Sequence, residues 1–160
     1  MILARRRGGA EIRDGMKEND IGTKILSAAI AVHRELGPGL LESVYEVVLA
    51  RELSDAGLRV ERQVPISISY KGLQFEEGFR ADLIVEQKVL LELKSVEQIA
   101  ASHKKQIQTY LSLSGLKLGC LLNFGDAVLK NGITRCVNGL QENFSASPRL
   151  RAKISRSNFT

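Results

Sequence analysis

The sequence predicts one α/β (α+β) domain built on a mixed central sheet flanked by helices. Three observations lead there. Helical periodicity is confined to residues 20–56 and 99–113. Between those stretches, runs rich in Val, Ile, Leu and Phe alternate with polar residues and are broken by short turn signals. The run Leu118 to Phe124 is nearly all apolar, as expected of a strand buried on both faces.

Residues 1–18 have no apolar periodicity and read as a flexible arm, within which Met16 is a second candidate start. Asn19 or Asp20 can cap a first helix, whose Ile21, Ile25, Ala28, Ala29, Val32 and Leu36 recur at helical spacing. Gly37-Pro38-Gly39 stops it, because Pro lacks the N–H donor and Gly accepts the dihedrals of a helix end. A second helix spans about Leu41 to Ala56, with Leu41, Val44, Tyr45, Val48 and Leu49 on one side and Gly57 as its stop. The tight turn makes the two helices an antiparallel pair. Strands are expected at Leu58 to Val64, Ile66 to Tyr70, Leu73 to Val85 and Val89 to Lys94, with Lys71-Gly72 and Glu86-Gln87-Lys88 as turns. A helix from about Ile99 to Leu113 closes at Ser114-Gly115. The Leu118 strand and an edge strand at Ile133 to Val137 follow. The order is α, α, β, β, β, β, α, β, β. The folded domain covers 19–140, and a loosely held basic tail covers 141–160.

The 160 residues carry 23 Lys and Arg against 18 Asp and Glu, a formal charge of +5. A basic chain suggests a polyanionic partner. The arm holds +2 and the tail +3, however, so residues 19–140 are neutral as a whole. With 44% hydrophobic residues the chain can bury a real core. No apolar run approaches the ~18 residues of a membrane span. The N-terminal Met1-Ile2-Leu3-Ala4-Arg5 has no apolar signal region, which predicts a cytoplasmic protein. Cys120 and Cys136 match no zinc spacing and read as reduced thiols of the core. Trp is absent, which argues against an aromatic base-stacking platform.

The chemistry is concentrated in Arg80 to Lys94. If the hairpin turns about Gln87, Asp82 lies opposite Glu92, close enough that like charges destabilise the pair. Glu92 and Lys94, two apart on one strand, share a face with Asp82. Apolar neighbours on both strands place two acids and one amine on a partly buried surface. Two solutions exist. Lys94 can neutralise the pair as a plain salt bridge. Alternatively, a hard divalent cation sits between the acids, with the Leu93 carbonyl as a further ligand, and Lys94 orients or deprotonates the water that attacks phosphorus.

Glu42 opens the second helix, where it is either a partner of the helix dipole or a third acidic ligand. His103, Gln106 and Tyr110 fall at i, i+3 and i+7 on the late helix, one face of it. A Gln and a Tyr beside an acidic cluster suit contacts to phosphate oxygens or to the attacking water, although a polar edge of an amphipathic helix has the same pattern. Tyr45 reads as core packing and His33 as an ordinary helix residue.

Taken in order, Gly39-x-x-Glu42-x-x-Tyr45, Asp82, Glu92-x-Lys94, Gln106-x-x-x-Tyr110 and Asn123-Phe124-Gly125 resemble the GxxExxY protein family, which is grouped with the PD-(D/E)XK nuclease superfamily. The resemblance covers about residues 20–140. It implies a restriction-endonuclease-like core, with Asp82 and Glu92 as metal ligands, Lys94 positioning the nucleophilic water and Glu42 completing the site. Gln106 and Tyr110 would contact substrate or water, and this element resembles the exonuclease branch found in recombination helicase–nucleases. Ala81 stands where the superfamily name has Pro, a position that shapes backbone and contributes no ligand.

The function expected is therefore a nuclease dependent on Mg²⁺ (or Mn²⁺) that hydrolyses phosphodiester bonds, in DNA before RNA. The competing reading is a catalytically silent module that binds nucleic acid or a protein partner on the same fold. A homodimer or an accessory partner protein fits either. Residues 19–87 carry −4 and 88–140 carry +4. His103, Lys104 and Lys105 lie in the basic half, beside the Gln106–Tyr110 helix, and are expected to track the substrate backbone.

Overall fold

The computed structural model describes residues 15–141. Of the arm expected over 1–18, residues 1–14, and of the tail expected over 141–160, residues 142–160, lie outside the described residues. The elements are α1 (Glu18–Leu36), α2 (Glu42–Asp55), β1 (Val60–Tyr70), β2 (Leu73–Val85), β3 (Val89–Lys94), α3 (Ala101–Ser114), β4 (Leu118–Asn123), a short 3₁₀ turn (Leu129–Gly132) and β5 (Ile133–Val137).

The strands form one mixed sheet in the order β1-β2-β3-β4-β5. β3 and β4 are parallel and the other neighbours antiparallel. A parallel pair needs a crossover, and α3 supplies it. α1 and α2 cover one face, where Ile21, Ile25, Leu49 and Leu53 meet Leu83, Leu91 and Leu93. α3 covers the other, where Ile107 and Leu111 meet Ile84, Leu90 and Leu121. β3 and β4 lie between the layers, which is why nearly every residue in them is buried. The fold is thus the helix-flanked mixed sheet that the sequence implies.

Several local expectations are corrected. The two strands expected on either side of Pro65 are one strand, β1, with a register shift between Ile66 and Ile68. Pro is tolerated there because β1 is the sheet edge. α1 begins at Glu18 with no side-chain cap, so neither Asn19 nor Asp20 caps it; the Asn19 amide oxygen instead accepts from Arg135 at 2.7 Å. α2 turns Tyr45, Glu46, Leu49 and Leu53 inward, while Leu41 and Val44, expected on its packed side, are exposed. Both cysteines are free, and burial pushes the Cys120 thiol up to about 12.

Candidate active site

The β2–β3 hairpin pairs Leu83 with Leu91, Ile84 with Leu90 and Val85 with Val89. Its turn holds Glu86 and Gln87 at positive φ. One step beyond the last pair, Asp82 and Glu92 come side by side. Here β2 stops pairing with β3, and the Asp82 carboxylate replaces the missing strand partner. Its Oδ2 accepts the Leu93 N–H at 2.8 Å. On the far side of β3, the Lys94 carbonyl accepts from Phe124 N. Carbonyls alternate along a strand, so that of Leu93 points back toward β2 and the two acids.

Burial sets the electrostatics. Glu92 is 6% exposed, and its Oε1 is the only buried side-chain polar atom among the described residues without a hydrogen-bond partner. Loss of water, then the Asp82 charge, pushes its carboxyl up to about 8. Asp82 is raised as well, chiefly by burial, with the Leu93 N–H pulling the other way. The Lys94 charge favours the ionised form of both acids. Yet no ion pair joins Lys94 to either acid among the described residues. The plain salt bridge, one of the two solutions open in the sequence, is therefore not formed.

Three more elements close around the pair. On α3, Gln106 Nε2 donates to the Tyr110 hydroxyl at 2.6 Å, and the Tyr110 ring stacks on Phe79 at 3.8 Å between centroids. The Tyr110 hydroxyl pKa is raised, first by burial and then by the charge of Glu92. At the start of α2, Glu42 Oε1 accepts the Ser95 N–H at 3.2 Å, just past Lys94. Its loop is tightly held: Ser95 Oγ donates to Leu40 O, and the Tyr45 hydroxyl donates to Gly37 O while accepting from Leu40 N. Gly39, at φ +92°, makes a turn that other residues resist. The Tyr45 ring stacks on Phe124 at 4.3 Å. The Asn123 side chain ties Val96 N and O, and a Cβ at Gly125 would collide with the Val96 backbone. The Gly39–Tyr45 and Asn123–Gly125 motifs thus meet in space, one on each side of the segment that follows β3.

The structure brings Asp82, Glu92, Lys94, Glu42, Gln106 and Tyr110 around the end of β3. It does not bring all the expected substrate contacts there. His103 caps its own helix, its Nδ1 accepting from Ala100 N at 3.2 Å. Lys104 lines a polar cavity with Glu97, Asp126 and Thr134, and its charge acts on Cys136 of β5. Lys105 is exposed beside Gln106. Sequence reading missed Glu46. It is also 6% exposed, and it accepts from Arg62 Nε at 3.0 Å and Gln63 Nε2 at 2.7 Å. Its spacing of four from Glu42, one face of one helix, was the available signal.

Among the described residues no group of three or more His, Cys, Asp and Glu could hold a metal ion alone. The donors nevertheless suit a hard, oxygen-seeking cation such as Mg²⁺, which binds through one or two carboxylates and leaves its other positions to water and phosphate. Two crowded carboxyls, one with an oxygen that nothing satisfies, are the observation that fits. Asp82, Glu92 and the Leu93 carbonyl are the groups that would hold it.

A family model of the PD-(D/E)XK nuclease superfamily matches residues 19–136, and the chain belongs to that superfamily. No curated protein and no solved structure matches the chain. No helix among the described residues is long and apolar enough to cross a membrane.

Proposed function

We propose that this PD-(D/E)XK superfamily member is a divalent-metal-dependent nuclease that hydrolyses phosphodiester bonds in DNA. One observation carries the reading: a half-buried Asp82 beside a buried Glu92, with the Glu92 Oε1 unsatisfied and a lysine two residues on that forms an ion pair with neither acid. The motif set, with Gly39, Glu42 and Tyr45 building one anchored turn, supports placing the chain in the GxxExxY group.

A cation bound by Asp82 and Glu92 would offset the phosphate charge and stabilise the charge that develops on the leaving oxygen. The chain's own residues do the rest. The Leu93 N–H fixes the orientation of Asp82. Lys94, free of an ion pair, positions the attacking water. The Gln106 and Tyr110 pair contacts the phosphate or that water. Glu42 completes the acidic wall and holds the segment after Lys94 through Ser95. Lys105 meets the backbone beyond the scissile bond, and His103 and Lys104 reach substrate only further along α3. A second copy or an accessory protein would engage the other strand of a duplex.

The test is cleavage of linear, circular and single-stranded DNA by the purified protein, with Mg²⁺, with Mn²⁺ and with chelator. Metal-dependent cleavage that disappears in Lys94→Ala, with the fold intact by circular dichroism, is the expected result. A Lys94→Ala protein that cuts like the parent sinks the assignment. Absence of cleavage on every substrate, with specific DNA binding retained, would favour the silent binding module.

A further inference from the structure

The carboxylate pair depends on an irregularity in the neighbouring strand pair. β1 and β2 keep one register from Val60↔Val85 to Ile66↔Phe79, but the step at which Gln63 would face Asp82 is missing. Gln63 stands at φ +51°, in the left-handed region that a residue with a side chain rarely occupies without a reason. Its carbonyl is turned to the Arg80 guanidinium at 3.4 Å. Its side chain and that of Arg62 are both tied to the buried carboxylate of Glu46. On the β2 side of the gap, Asp82 gives its carboxylate to Leu93 N. The faces also change hands here. Leu83 belongs to the core under α1 and α2, whereas Ala81, which strict alternation would place with it, belongs to the core under α3.

We propose that Glu46 is a positioning residue for Asp82: by clamping Arg62 and Gln63 it keeps the strand pair open opposite Asp82, so that the Asp82 carboxylate turns to Leu93 and stands beside Glu92. α2 is then a strut whose two glutamates, exposed Glu42 and buried Glu46, grip the site from both sides. Glu42 holds the end of β3 and Glu46 holds β1. A left-handed Gln63 cannot complete the regular ladder: its carbonyl accepts from Arg80 instead, while its side chain and that of Arg62 are held by Glu46. Released from Glu46, Gln63 relaxes to the extended region, the ladder closes at Asp82, and the Leu93 N–H loses its acceptor. This inference rests on the proposed active site for its functional meaning, but its structural content can be read without metal or DNA.

The experiment is amide hydrogen exchange on the whole, metal-free chain, comparing Leu93 with Leu91 in the same strand. Glu46→Ala is expected to speed exchange at Leu93 by about tenfold, the loss of roughly one hydrogen bond to a charged acceptor, with Leu91 little changed. Gln63→Gly, which accepts a positive φ freely, should leave Leu93 slow. Gln63→Val, which resists it, should speed it. Combining Glu46→Ala with Gln63→Gly should restore much of the protection. Unchanged Leu93 exchange in Glu46→Ala, or equal acceleration at Leu93 and Leu91, would overturn the proposal and leave Glu46 as a plain buried ion pair. Should Glu46→Ala fail to fold, the contrast between Gln63→Gly and Gln63→Val decides alone, and equal rates in those two overturn it. Mn²⁺ binding by calorimetry is read separately. A parent protein that binds none removes the metal reading and leaves the clamp standing.

Discussion

Glu46 and Glu92 are buried to the same degree, 6% exposed each, and their circumstances are opposite. Both oxygens of Glu46 are engaged, by Arg62 and by Gln63. Glu92 faces another acid, has an oxygen with no partner, and is pushed up to about 8. Burying a carboxylate costs several kcal/mol unless a cation or donors replace water. At Glu46 the fold provides that replacement. At Glu92 it withholds it. Under the proposed function, the contrast separates a glutamate that builds structure from one that would take a cation.

The largest expected effect separates them directly. Glu92→Gln should abolish metal-dependent cleavage, by roughly a thousandfold or more, and yet raise the melting temperature of the metal-free protein near neutral pH. Glu46→Gln should lower the melting temperature, since it replaces a satisfied charge with an amide that meets two donors, at a cost of roughly 1–3 kcal/mol. Thermal melts in chelator check both. A destabilised Glu92→Gln would dissolve the contrast.

Next comes pH. A carboxyl raised in the folded state binds its proton more tightly there than in the unfolded chain, so its contribution to stability is complete below the unfolded value of about 4.5. It is lost as pH climbs to about 8. The raised Asp82 adds in the same direction. Metal-free protein should therefore lose stability across that window relative to Glu92→Gln, and parallel pH curves for the two would refute the assignment. Metal should reverse the trend. Mg²⁺ added near pH 8 should raise the melting temperature of the parent by a few degrees through binding to the native state, and leave Glu92→Gln unmoved. The smallest effect concerns the anchor of the Glu42 turn. Tyr45→Phe removes two hydrogen bonds to the Gly37–Leu40 loop and should cost about 1–2 kcal/mol, read as a drop of several degrees with the fold retained.

What was legible in the sequence follows from locality. The hairpin about Gln87 has a period of two and a short turn, so placing Asp82 beside Glu92 needed only the count along two adjacent strands. Gly37-Pro38-Gly39, Lys71-Gly72 and Ser114-Gly115 mark chain reversals because their backbone preferences act within a few residues. The misread strand at Pro65 shows the limit. Whether a proline ends a strand or rides within it depends on whether that strand is at the edge, and the edge is a property of the whole sheet. The inner face of α2 was misread for a similar reason. Its periodicity allows several faces, and the one that packs was chosen by α1, β1 and β3 together.

The sequence by itself determined the class of fold, the hairpin register and the identity of the paired acids, because each of these is written in spacing between near neighbours. Only the tertiary structure decided that Lys94 leaves the acids unpaired, that Glu42 holds Ser95, that Tyr45 stacks on Phe124, and that Glu46 reaches Arg62 and Gln63. Those contacts join residues from different elements, across distances that no local periodicity encodes. They arise when two layers close on one sheet and each buried polar atom must find a partner or, like Glu92 Oε1, go without.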